Sequence, residues 1–123
     1  MAYVNDRLLD AALTILTSEV NRLDITSSEA TTYTEATSTY TLGNKTSPTV
    51  GSPADATPDG RKVTVSAITD GTVTTNGTAA YWALSDTGNS RLLATGPLSS
   101  SQAVTTSNPF TLTAFSVRIP DAV

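Results

Sequence analysis

Arg61-Lys62-Val63-Thr64-Val65-Ser66-Ala67-Ile68-Thr69 is the stretch that decides the fold. Val63, Val65 and Ala67 alternate with Lys62, Thr64 and Ser66, the two-residue period of a strand with one face in a core and one in water. Asp70-Gly71 follows as a two-residue hairpin turn, and Thr72–Thr75 is expected to pair back. Asn76-Gly77 offers the next turn. Thr78–Asp86 then places Ala80, Trp82 and Leu84 on one face, with Tyr81 and Ala83 on the other. Thr87-Gly88-Asn89 turns the chain into Arg91–Thr95, Gln102–Thr106 reads as a weaker strand, and Phe110–Ile119 closes the series. In that last run Phe110, Leu112 and Ala114 share one face while Phe115, Val117 and Ile119 share the other, which implies burial on both faces or a bulge near Ala114. Residues 60–120 thus read as an antiparallel β meander folded into a sandwich or small barrel.

Upstream of it, residues 5–20 read as the one long helix, with Asn5 or Asp6 as its cap. Leu9, Leu13, Leu16 and Val20 recur at spacings of four and three, and Leu8, Ala12 and Ile15 widen the stripe. This seam suits a helix laid across a sheet, or a short oligomeric coil, for which the apolar repeat is brief. Leu23 and Ile25 suggest a short strand. Tyr33–Tyr40 suggests a short helix or turn, with Thr34 as cap and Gly43 as a left-handed stop after Leu42. Residues 44–59 hold Pro48, Pro53 and Pro58 and read as a long loop, offered together with Tyr33 and Tyr40 as a partner-contact region.

The 123 residues suit one domain, 1–123. Charged residues are 15% of the chain, well below the average of about 25%. With 24 Thr and 14 Ser filling the difference, the surface expected is a β-branched, uncharged one. A net charge of −4 and no basic cluster beyond Arg61-Lys62 speak against nucleic acid as a partner. No apolar run is long enough to span a membrane, and residues 1–7 lack the pattern of a secretory signal, so synthesis and solubility in a cytoplasm are expected.

His and Cys are both absent. That removes the commonest general base, every Ser-His-Asp arrangement, the Cys nucleophile and the usual zinc site. No phosphate-binding glycine loop occurs. The carboxylates that remain, such as Asp10, Asp70 and Asp86, fall where helix or turn chemistry accounts for them. Asp55 and Asp59 are read as turn residues rather than calcium ligands, and Trp82 as core filler rather than a platform for sugars. Asn44-Lys45-Thr46 and Asn76-Gly77-Thr78 match the glycosylation pattern, but without a secretory route they are a loop and a turn. No catalytic residue, cofactor or metal is assigned.

Several stretches resemble small proteins encoded by tailed bacteriophages: Tyr33-Thr34-Glu35-Ala36-Thr37, Leu42-Gly43-Asn44-Lys45, Gly60-Arg61-Lys62-Val63-Thr64-Val65, Ala80-Tyr81-Trp82-Ala83-Leu84, Arg91-Leu92-Leu93-Ala94 and Ile119-Pro120-Asp121. The resemblance runs over most of the chain and rests on strand and turn text. It implies a virion structural protein, in the first place a capsid decoration or cement protein that binds the major capsid protein. A neck, tail or fibre component and a carbohydrate-binding module are the alternatives. Such a role suits a homo-oligomer, a trimer by preference, located in the virion.

Overall fold

The computed structural model describes residues 5–57 and 60–119. Asn5 opens the first element in an extended conformation, its side-chain oxygen accepting from the Arg7 amide at 2.8 Å, as an N-cap does. Helix α1 spans Asp6–Glu19. Leu9, Leu13 and Leu16 on its inner face are buried, as is Val20, where the chain leaves the helix in an extended conformation. Leu13, Leu16 and Val20 share one core with Leu23, Ile25, Val63, Val65 and Trp82. The helix is therefore packed on the strands, and the Leu9, Leu13, Leu16 and Val20 seam is consumed within the chain.

Among the described residues nine strands follow: β1 (Arg22–Thr26), β2 (Thr41–Thr46), β3 (Ala54–Asp55), β4 (Arg61–Val65), β5 (Ile68–Val73), β6 (Gly77–Asp86), β7 (Arg91–Val104), β8 (Pro109–Leu112) and β9 (Phe115–Ile119). Six form one sheet in the order β7-β6-β1-β2-β5-β8, and three form a second in the order β3-β4-β9. All pairings are antiparallel. The fold is mainly β with one N-terminal helix, as expected, but the strands after residue 60 are not a meander. β1 and β2, from the first half of the chain, occupy the centre of the larger sheet. Asp24 and Thr26 of β1 are fully buried although they face away from the core, because residues 27–40 lie over that face.

The cover departs from the expected short helix in detail. It contains one π-helical turn, Glu35–Thr39. Thr34 makes no capping bond. Instead the Glu35 amide donates to Thr32 Oγ1 at 3.1 Å, and the Glu35 carboxylate receives the Thr31 amide and hydroxyl at 2.9 and 2.8 Å. Gly43 is not a helix stop. It lies in β2 opposite Ile25 and Val73, and a Cβ there would meet the Thr72 carbonyl oxygen at 2.5 Å. The glycine is needed for close strand approach, a requirement that local sequence does not display.

Other boundaries move for similar reasons. The expected 44–59 loop is trimmed at both ends: β2 runs to Thr46, Val50 bridges to Val65, and Ala54–Asp55 pairs with β4. The Arg61–Thr69 strand breaks at Ser66-Ala67, so β4 and β5 enter different sheets. Asp70-Gly71 is no turn but a register irregularity inside β5, where Gly71 leaves space for the Phe110 ring. Residues 72–75 do not pair back on β4; β5 lies between β2 and β8. The two strands expected at 91–95 and 102–106 are joined as β7. Only Ala80 of β6 stands opposite Leu98–Ser101, a wide bulge between two paired stretches. Phe110–Ile119 divides at Thr113-Ala114, where the chain passes from the first sheet to the second. That crossing explains why both faces of the run are apolar.

Candidate functional site

Two arginines, Arg22 and Arg61, tie elements of the fold together. Asp24 accepts from Arg22 Nε at 2.8 Å and Nη2 at 2.9 Å, and from Thr41 Oγ1 at 2.7 Å, while Arg22 Nη2 also reaches the Thr37 carbonyl at 3.4 Å. This network fastens the 27–40 cover to the sheet. The cover's apolar contact is small: Ala30, Ala36 and Ala83, flanked by Tyr40 and Leu92. Under it the hydroxyls of Thr26 and Ser85 are buried with no hydrogen-bond partner. Arg61 ties three elements, donating from Nε and Nη2 to Asp10 of α1 at 2.7 and 3.2 Å and from Nη1 to Asp55 of β3. These bonds, Asp10 first and then Asp55, raise its pKa further above the ordinary arginine value.

Glycoside cleavage needs a carboxyl group with a raised pKa facing a second carboxylate. Asp86 and Glu35 are shifted the other way. Asn89 Nδ2 and the Gly88 amide hold Asp86 below the usual carboxylate range, and the Thr31 amide and hydroxyl do the same for Glu35. Asp55 is exposed and paired with Arg61, and Asp59 lies outside the described residues. Among the described residues no group of three or more His, Cys, Asp or Glu is placed to hold a metal ion. No described helix is long and apolar enough to cross a membrane. Trp82 is a core residue, its ring 4.5 Å from that of Phe115 and close over Gly96.

The proposed contact residues are not brought together. Pro48 is buried and Pro53 half-buried, in a segment whose Gly51 carbonyl accepts from Thr17 of α1 at 2.8 Å. Pro58 lies outside the described residues. Tyr40 belongs to the cover on the other sheet, and Tyr33 stands just before the Glu35–Thr39 turn, half-buried.

What the structure does bring together is an unfinished side of the core. β7 is the last strand at one end of the larger sheet and β9 is the last at one end of the smaller. Leu93, Ala94, Leu98, Phe115, Val117 and Ile119 pack against the core but are only partly buried. On α1 Leu8 is 67% and Ile15 44% exposed, and Ile15 borders the same hollow as Leu93 and Val117. Two hollows run along this side. One of about 340 Å³ lies between α1, Leu93, Ala94, Val117 and Ile119. The other, about 630 Å³, lies between Pro97–Gln102 and Thr111–Ser116, with Trp82 in its wall. Sequence reasoning did not find this surface. The signal was the width of the helical stripe: with Leu9, Leu13 and Leu16 facing the sheet, Leu8, Ala12 and Ile15 are left over.

Comparison with protein-family models, with curated proteins and with solved structures found no match to this chain.

Proposed function

We propose that this chain is a non-enzymatic structural subunit of a tailed-bacteriophage virion, with decoration of the capsid shell as its role and the major capsid protein as its partner. The observation that carries the reading is the partly exposed apolar side formed by Ile15, Leu93, Val117 and Ile119, with Leu8 exposed on the same helix, on a protein whose Arg22, Asp24, Asp10 and Arg61 are engaged in holding its own fold. Large exposed apolar residues gathered in one area mark contact surfaces. The phage-like stretches of sequence supply the identity of the particle. Self-association, including a trimer, goes through surfaces other than the Leu9, Leu13, Leu16 and Val20 seam, which is already buried.

Densitometry of purified particles against the major capsid protein tests the role. Decoration gives a copy ratio between one to one and one to several. A ratio near about one to fifty moves the protein to the neck, tail or fibre, where small cyclic symmetries set the number. Absence from particles refutes the virion reading. The double variant Leu8→Lys/Ile15→Lys alters exposed positions only, so it is expected to fold normally and to lose incorporation.

A further inference from the structure

The larger of the two hollows lies where two segments depart from regular pairing. In β7, Pro97 stands opposite Tyr81 and Gln102 opposite Ala79, so Leu98–Ser101 bulge out against Ala80 alone. Across the hollow the chain leaves β8 after Leu112 and enters β9 at Phe115. Bulges re-aim side chains and are common beside functional sites. The space between these segments, about 630 Å³, falls within the roughly 300–1,000 Å³ usual for small-molecule sites.

Its lining has an apolar and a polar part. Trp82, Leu98, Leu112 and Phe115 supply the first. Of the two rings Phe115 is the accessible one, since it is half-buried while Trp82 is 8% exposed and serves the core. Ser99, Ser100, Ser101 and Thr113 supply the second: all four are exposed, and their hydroxyls make no hydrogen bond to another described residue. Gln102 Nε2 donates to the Thr111 carbonyl at 3.0 Å and ties the two walls together. No charged side chain lines the hollow. An anion would need basic groups there, and a cation would need carboxylates. A purely apolar ligand would take water from the hydroxyls and return no hydrogen bond. A neutral saccharide meets both parts. The C–H face of a pyranose packs on the electron-rich face of an aromatic ring, and its hydroxyls, like those of Ser and Thr, both donate and accept.

We infer that this hollow binds a short neutral saccharide, with Phe115 as the ring it packs on and with Ser99, Ser100, Ser101 and Thr113 as its hydrogen-bonding rim. The inference goes beyond the assembly reading and does not depend on it, because Ile15, Leu93, Val117 and Ile119 border the other hollow.

Trp82, the only tryptophan, lines the hollow and reports on its occupation. The probes are maltose, cellobiose, lactose and diacetylchitobiose, each titrated to about 10 mM, roughly tenfold above a Kd of 1 mM. Sorbitol, with hydroxyls but no ring, and digalacturonate, with rings but also charge, are the controls. At least one neutral disaccharide is expected to shift Trp82 emission saturably and to move the amide resonances of Ser99, Ser101, Thr113 and Phe115. Two variants probe the two parts of the lining. Phe115→Leu keeps apolar bulk without the ring, and Ser100→Ala/Thr113→Ala removes one exposed hydroxyl from each wall. Each is expected to weaken binding by about tenfold. Should Phe115→Leu fail to fold, the hydroxyl variant and the resonance map decide, since its two positions are exposed. No binding of any of the four disaccharides overturns the inference. Equal binding of sorbitol or digalacturonate overturns it, as does wild-type affinity in either folded variant, or resonance changes confined to other parts of the protein.

Discussion

Replacing Asp24 by Asn removes the charge at the centre of the clamp that holds residues 27–40 over the sheet. Asp24 is fully buried and accepts three hydrogen bonds, two from Arg22 and one from Thr41. Asn keeps the shape but offers one acceptor oxygen, and its NH2 points at a guanidinium that also only donates. Breaking a buried pair by neutralising one partner costs about 3–5 kcal/mol. The Arg22 side chain is 27% exposed and recovers some hydration, which lowers the expected loss to about 2–4 kcal/mol. That is a large share of the roughly 5–15 kcal/mol typical of a domain. Urea unfolding followed by Trp82 fluorescence measures the loss. Hydrogen exchange locates it: the amides of Ser27, Ala36 and Tyr40, bonded within the cover, should lose protection before those of Leu23 and Ile25. The double variant Arg22→Met/Asp24→Leu should cost less than the two single changes added together, because neither leaves a buried charge. A loss below about 1 kcal/mol for Asp24→Asn, or uniform loss of protection across the sheet, would refute the clamp.

Two further outcomes follow from particular contacts. Gly43→Ala should destabilise by more than about 2 kcal/mol, since its Cβ meets the Thr72 backbone at 2.5 Å, whereas Gly51→Ala, whose nearest contact is 3.5 Å, should be neutral or gain up to about 1 kcal/mol. Thermal melts of both variants check the contrast. Asp86 and Glu35 have pKa values lowered by their hydrogen bonds, so each contributes stability that is complete above the unfolded carboxylate range and is lost as pH falls through the folded value. Stability should therefore be level at neutral pH and decline below about pH 4, and Asp86→Asn should make that decline shallower in urea titrations at stepped pH.

The helix, its Asn5 cap and its buried stripe were legible because their signals are local: a capping side chain and a 3.6-residue period. The same holds for β6, where Trp82 and Leu84 carry the alternation into the core. The centre of the sheet was not legible. β1 alternates Leu23 and Ile25 with Asp24 and Thr26, the pattern of a half-exposed strand, and only the distant alanines of the cover make its outer face an interior. Gly43 and Gly71 have the composition of turns, yet their reasons for being glycine lie across the sheet, in Thr72 and Phe110. The partly covered apolar side was hidden for a related reason: whether Phe115, Val117 and Ile119 are covered depends on what stands beside β9, which no local pattern encodes.

The chain order of the smaller sheet bears on synthesis. β4 is held by the two-residue β3 on one side and by β9 on the other, with Arg61 facing Ile119 and Val65 facing Phe115. As the polypeptide leaves the ribosome, Val63 and Val65, fully buried in the finished protein, must wait some fifty residues for that partner. Until then Val63 and Val65 lack the strand that flanks them in the finished sheet, which leaves apolar surface uncovered. A sheet whose two neighbouring strands are so far apart in sequence is most vulnerable to proteases and to other copies of the chain in the interval before β9 pairs with β4.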